Sequence, residues 1–330
     1  MTDATRPAAT PTDAPPLRVA FLGAGPFALP PLASLLESRH EVAAVVTQPD
    51  RSGRGHHRHE NPLKTLAAKH EAPCLQPANI NDEADAIAAI EADLLVTASY
   101  GQFLGKRVRE AAPLGAINLH GSLLPKYRGA APVQHAVWNR EPVTGVTAFQ
   151  ITRGMDTGPM LGRVETAVGD RETFGELLDR LAELAGPLAV DVCDGLAVGR
   201  ITPQPQEDAA ATLAPKLTKA DGLIDFAQPA SRVQGQVLAT QPWPKPTTFW
   251  HDAGGSPPRR MNLLQVTATD GRGEPGTILS ADPLLVACGD GAVRLDRVQV
   301  AGKAAMDAAA FINGYQPRVG DRLRPTDALD

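Results

Sequence analysis

Between residues 17 and 151, short apolar runs alternate with stretches of helical period, and this alternation constrains the fold more than any other feature of the chain. Residues 17–22 read as a buried strand, running through a Gly-rich turn into a helix that ends near residue 39. A second buried strand spans 42–46. Helices are predicted at 62–70, 82–91 and 105–111, with extended segments at 73–76, 93–97 and 116–120 between them. Strands that follow one another through helical crossovers pair in parallel, so the pattern predicts an α/β fold with a doubly wound, mostly parallel sheet. Ligands of such sheets bind outside the carboxyl ends of the strands.

The pattern changes near residue 200. A long helix predicted at 173–196 closes the first domain, which spans 17–200. Residues 201–221, punctuated by Pro203, Pro205 and Pro215, read as a linker. A second domain, 222–330, starts with a helix near 229–239. Short strands at 247–251, 260–266, 276–279, 284–287 and 292–300 follow, broken by Gly, Pro and Asp, and this spacing predicts a small antiparallel β-barrel. A length of 330 residues is ample for two cores.

The chemistry concentrates in Asn118-Leu119-His120-Gly121-Ser122-Leu123-Leu124-Pro125. Side chains two apart leave the same face of a strand, so Asn118 and His120 point together where the 116–120 strand gives way to a loop. An amide N–H and an imidazolium N–H side by side suit transfer at a carbonyl carbon, because both stabilise a developing oxyanion. Asp156, in the Gly- and Pro-flanked turn at 154–159, is placed to orient and charge the imidazole. Whether His120 acts as a base or only as an oxyanion donor stays open at this level. A serine-hydrolase elbow is excluded because Leu123 and Leu124 follow Ser122 where GxSxG needs glycine. Asp156-Thr157-Gly158 is a single triplet, whereas an aspartic-protease dyad needs two. Gly23, Gly25 and Ala28 satisfy GxGxxA, but Pro26 removes an amide from the turn that would cradle a dinucleotide, so a tight strand-to-helix turn is expected and no nucleotide cofactor.

Composition removes other classes. Net charge is −5, and neither part of the chain is basic, with 19 Lys and Arg against 23 Asp and Glu up to residue 205 and 13 against 14 beyond it. RNA binding, if present, rests on a local patch. The candidate is the loop at 48–60, which carries Arg51, Arg54 and Arg58 on glycine hinges suited to phosphates. Its histidines, His56, His57 and His59, lack companion carboxylates or cysteines, so no metal site is expected. Three scattered cysteines without CxxC indicate a reducing, cytoplasmic setting. Residues 1–16 read as a disordered tail, and no apolar run reaches membrane-spanning length.

The motif around His120, together with Arg128-Gly129-Ala130-Ala131-Pro132 and Asp156-Thr157-Gly158, resembles the signature of the folate-dependent formyltransferases. Thr47-Gln48-Pro49-Asp50-Arg51, Gly53-Arg54-Gly55, Pro242-Trp243-Pro244 and Gly289-Asp290-Gly291 extend the likeness over residues 17–323. The resemblance implies a Rossmann-like catalytic domain, an OB-like C-terminal barrel, and transfer of formyl from 10-formyltetrahydrofolate to the amino group of initiator methionyl-tRNA by a monomeric enzyme. It assigns catalysis to Asn118, His120 and Asp156, folate binding to Ser122, Leu123, Leu124 and Pro125, and tRNA contacts to Arg51, Arg54, Lys216 and Lys219. An alternative acceptor is a small amine such as an amino-sugar nucleotide. Two departures from the family pattern are Gly23-Ala24-Gly25-Pro26 after the first strand and His56-His57-Arg58-His59 after Arg54.

Overall fold

The computed structural model of the protein describes residues 15–50 and 61–326. The chain divides into two compact units: the first holds the chain up to Gly129, Thr144–Thr166 and Leu178–Leu213, and the second holds Ala130–Val143, Ala167–Leu177 and the chain from Ala214.

Seven strands build the first sheet: β1 (Arg18–Gly23), β2 (Glu41–Thr47), β3 (Cys74–Leu75), β4 (Leu94–Ala98), β5 (Ala116–His120), β6 (Val143–Gln150) and β7 (Met160–Ala167). The helices between them are α1 (Leu29–Leu36), α2 (Pro62–Lys69), α3 (Ala84–Ala88), α4 (Lys106–Arg109), α5 (Pro132–Trp138) and α6 (Phe174–Ala197). Strand order is β3-β2-β1-β4-β5-β6-β7. The β1, β2, β3, β4 and β5 pairings are parallel, and β6 runs antiparallel to β5. Val19, Phe21, Leu22, Leu94, Leu95 and Val96 are fully buried, as central parallel strands require. The chain turns back at β1, so the crevice lies outside the carboxyl ends of β1 and β4, one strand from β5.

The Gly-rich turn after β1 is a packing device. A Cβ on Gly23 would sit 2.6 Å from the Phe21 ring and 2.8 Å from the Ala28 methyl. Pro30 and Pro31 stand in the first turn of α1, so two of its leading N–H donors do not exist, and the turn offers no pyrophosphate cradle. Helices α3 and α4 are shorter than their sequence periodicity predicts, five and four residues, and turns complete those segments.

In the second unit α7 (Ala230–Ala239) precedes β8 (Thr247–His251), β9 (Arg259–Thr269), β10 (Ile278–Ala281), β11 (Leu284–Ala287), β12 (Ala292–Val300), β13 (Met306–Asp307), α8 (Ala308–Tyr315) and β14 (Arg322–Arg324). The order is β10-β11-β12-β9-β8-β14, with β13 on β12. Backbone bonds from the Ile278 N–H to the Asp321 carbonyl (2.8 Å) and from the Leu323 N–H to the Gly276 carbonyl (2.7 Å) draw the two edges together into a barrel. The sequence reading misses α8. Asp307 caps it, accepting from the Ala310 N–H at 2.7 Å, and Phe311 packs edge-on to Trp250 in the barrel core. Helix α5 belongs here too: it packs against α7 so closely that a Cβ on Gly235 would lie 2.3 Å from the Trp138 carbonyl oxygen. Among the described residues no helix is long and apolar enough to cross a membrane.

Candidate active site

Asn118 and His120 close β5 on one face, and different neighbours hold each of them. Thr97, opposite Asn118 on β4, donates its hydroxyl hydrogen to the Asn118 Oδ1 at 2.7 Å. The amide oxygen is thereby occupied, and the Nδ2 hydrogens are left to serve as donors. His120 is 5% exposed, and its Nε2 lies 2.9 Å from the Tyr127 carbonyl oxygen. A carbonyl oxygen only accepts, so Nε2 carries a proton and, in the neutral ring, Nδ1 presents its lone pair. Phe149, on β6, stands edge-on to the imidazole.

Asp156 sits in a turn with φ +53, in the left-handed region that Asp tolerates better than most residues. Its Oδ2 accepts from the Gly129 N–H at 2.8 Å and lies 3.8 Å from His120 Nδ1. The carboxylate therefore faces the imidazole as a charge without a hydrogen bond, and the Tyr127 carbonyl is the group that orients the ring.

The loop after β5 is tied to β6 through one hydroxyl. Thr147 donates to the Ser122 carbonyl at 2.7 Å and accepts from the Leu124 N–H at 3.1 Å. Ser122 is fully buried and donates to the Lys126 carbonyl at 2.6 Å, which makes it a loop brace and leaves no free nucleophile. Tyr127 takes φ +62, and its N–H donates to Thr212 Oγ1 at 2.8 Å.

Asn118, His120 and Asp156 thus come together in the first unit, next to the loop that carries Ser122, Leu123, Leu124 and Pro125. Lys216 and Lys219 are exposed residues of the second unit. Arg51 and Arg54, with His56, His57, Arg58 and His59, lie outside the described residues. Among the described residues no group of three or more His, Cys, Asp and Glu side chains could hold a metal ion. The sequence reading misses Thr97, Thr147 and Gln206. Thr97 is a polar residue in an otherwise apolar strand, which is a readable signal, whereas Thr147 shares its strand with Thr144 and Gln150 and does not stand out. Gln206 carries no such signal, since it lies in a Pro-punctuated stretch that reads as a spacer.

Comparison with known proteins bears on this geometry. The formyl transferase family model matches residues 17–193, and the formyl transferase C-terminal domain model matches 216–316. The methionyl-tRNA formyltransferase of Solibacter usitatus is 42% identical over 310 residues, 93% of this chain and 98% of that protein. That of Ectopseudomonas mendocina is 44% identical over 308 residues, 92% and 95% of the two chains. The chain belongs to the methionyl-tRNA formyltransferase family. Two solved structures extend the likeness at the level of fold. An N-formyltransferase from Helicobacter canadensis, in complex with folinic acid and dTDP-3-aminofucose, superposes with a TM-score of 0.63 at 15% identity, over 87% of this chain and all of that one. HypX from Aquifex aeolicus, in complex with tetrahydrofolic acid, gives 0.59 at 16% identity over 95% of this chain and 50% of that one, so this chain spans half its length.

Proposed function

We propose that this protein transfers the formyl group of 10-formyltetrahydrofolate to the amino group of methionyl initiator tRNA, giving formylmethionyl-tRNA for translation initiation. The observation that carries the choice of acceptor is the 42–44% identity to methionyl-tRNA formyltransferases across both units. The likeness to an amino-sugar formyltransferase rests on fold at 15% identity. The domain limits follow the same reading, with a catalytic part over 17–200, a linker over 201–221 and a tRNA-binding barrel from 222.

The co-substrate supplies a formyl carbon activated toward nucleophiles. Asn118 donates an Nδ2 hydrogen to the formyl oxygen as negative charge grows there, its amide held in that sense by Thr97. His120 acts as the base. With Nε2–H committed to the Tyr127 carbonyl, Nδ1 accepts the proton that the attacking amine loses as the new C–N bond forms. Asp156, 3.8 Å away, stabilises the imidazolium, which returns a proton to the departing folate nitrogen as the old C–N bond breaks. Ser122, Leu123, Leu124 and Pro125 line the folate side of the site. Arg51, Arg54, Lys216 and Lys219 contact tRNA phosphates. The enzyme acts as a monomer in the cytoplasm.

Incubation with 10-formyltetrahydrofolate and charged initiator tRNA, following the formyl group, tests this. Formylmethionyl-tRNA is the expected product. Formylation of a dTDP-linked amino sugar, with none of Met-tRNA, would overturn the acceptor.

A further inference from the structure

Asp156 is gripped from a segment that sequence order makes a mere spacer. Gln204 exchanges both backbone hydrogen bonds with Met160, each 2.8 Å, and so enters the first unit as a short extension of its sheet. Two residues later the Gln206 side chain makes four hydrogen bonds. Its Oε1 accepts from Arg128 Nε (3.0 Å) and Nη2 (2.8 Å). Its Nε2 donates to the carbonyl oxygens of Asp156 and Gly158, both at 2.8 Å. A guanidinium only donates and a carbonyl only accepts, so the partners permit one orientation of this amide. The segment is then stitched to the motif loop at Thr212, whose carbonyl accepts from the Arg128 N–H at 2.9 Å.

These contacts close a ring. Gln206 holds the Asp156 backbone on one side and Arg128 on the other, and Gly129, next to Arg128, donates its N–H to the Asp156 carboxylate. Both the main chain and the carboxylate of Asp156 are thus fixed by groups that one side chain ties together. Asp156 adopts a left-handed backbone conformation that an untied turn would leave readily. We propose that Gln206 is a positioning residue for formyl transfer, locking the Asp156 carboxylate at its distance from His120 by clamping the Asp156 turn to Arg128. This rests on the roles given above to His120 and Asp156.

The test uses the full chain with Gln206→Ala, Gln206→Glu and Asp208→Asn. The last removes only the outer ion pair on Arg128, a contact to a side chain 83% exposed. Gln206→Glu keeps an acceptor for Arg128 but loses both donors to the turn. Both Gln206 variants should lower kcat roughly tenfold, within the loss expected when the Asp156 charge itself is removed, while Asp208→Asn keeps wild-type kcat. KM for 10-formyltetrahydrofolate should stay within about twofold, since the loss falls on the transition state. Exchange of the Gly129 amide hydrogen should quicken in both Gln206 variants and not in Asp208→Asn. Wild-type kcat in Gln206→Glu, or unchanged Gly129 exchange in either Gln206 variant, would overturn the clamp. Failure of the wild-type protein to formylate Met-tRNA would instead overturn the functional reading, and the exchange measurement would still decide the clamp.

Discussion

The 2.9 Å contact between His120 Nε2 and the Tyr127 carbonyl oxygen decides which imidazole nitrogen works. It commits Nε2 as a donor and leaves Nδ1 free on the Asp156 side, so the neutral ring is set up as a base and becomes a donor only after it has taken a proton. An Asp156 hydrogen bond to Nδ1 would have implied a ring already protonated or of the other tautomer. The observed 3.8 Å separation supplies charge without fixing a proton.

This arrangement ranks two substitutions. His120→Ala should lower kcat on the order of 10³-fold, because it removes the proton carrier. Asp156→Asn keeps the Gly129 contact and removes only charge, so a smaller loss of roughly tenfold to 10²-fold is expected. Steady-state kinetics with thermal unfolding as the fold control measure both, and near-wild-type turnover in His120→Ala would remove the mechanism.

Asn118 and Thr97 form a second graded pair. Asn118→Ala should reduce kcat on the order of 10²-fold, the scale for loss of one oxyanion donor. Thr97→Val leaves the amide in place but frees its orientation, with a loss near that of one hydrogen bond, about 1 kcal/mol or a few-fold in rate. Thr97→Ser keeps the hydroxyl and should restore activity; equal losses in Val and Ser variants would point to packing instead.

Stability should fall on mild acidification through His40. Its side chain is fully buried, its Nδ1 accepts from the Leu17 N–H, and Nε2 lies 3.3 Å from Asp194 without hydrogen-bond geometry. Burial holds the imidazole below its ordinary value, against the opposing pull of Asp194. The unfolded chain therefore binds more protons between the folded and unfolded values, so the stability is intact above about pH 6.5 and drains away below it, toward the folded value. The thermal midpoint of the wild type should drop between about pH 7.5 and 5.5, and His40→Gln should show a flatter slope. Parallel slopes would assign the acid sensitivity elsewhere.

Thiol reactivity should single out Cys74. Burial pushes the Cys193 and Cys288 thiols up to about 12, and both are buried, whereas Cys74 is partly exposed although its thiol is also raised. Alkylation of the native protein at neutral pH, read by mass spectrometry, should label Cys74 slowly and the other two only on unfolding. Native labelling of Cys193 would contradict the packing of α6.

The lysines at 216 and 219 should act on affinity alone. Both are exposed, and Lys→Glu at either position should raise KM for Met-tRNA with little change in kcat. The salt dependence of binding should become shallower by about one counterion per lost phosphate contact. A fall in kcat at unchanged KM would place these lysines in the chemistry instead.

Much of this was legible before folding. Period two in Ala116–His120 puts Asn118 and His120 on one face, and alternating helix and strand predicts the sheet whose carboxyl edge they occupy. Local pattern also exposes β8, β9, β10, β11 and β12, because each alternates or runs apolar between Gly, Pro and Asp, but not β13 and β14, which are too short to show a period. It misses α8, since an eight-residue helix with a glycine near its end has too little periodicity to stand out, and its place is set by Phe311 packing on Trp250.

The sequence by itself determined the chemistry available: which strand carries the amide and imidazole, and which turn carries the carboxylate. Only the tertiary structure decided how those groups are held. Thr97 reaches Asn118 across 21 residues, Thr147 reaches Ser122 across 25, and Gln206 reaches Asp156 across 50. Such contacts leave no periodic trace, because a hydrogen bond between distant segments depends on sheet register and chain return, and neither is written in the spacing of neighbouring residues.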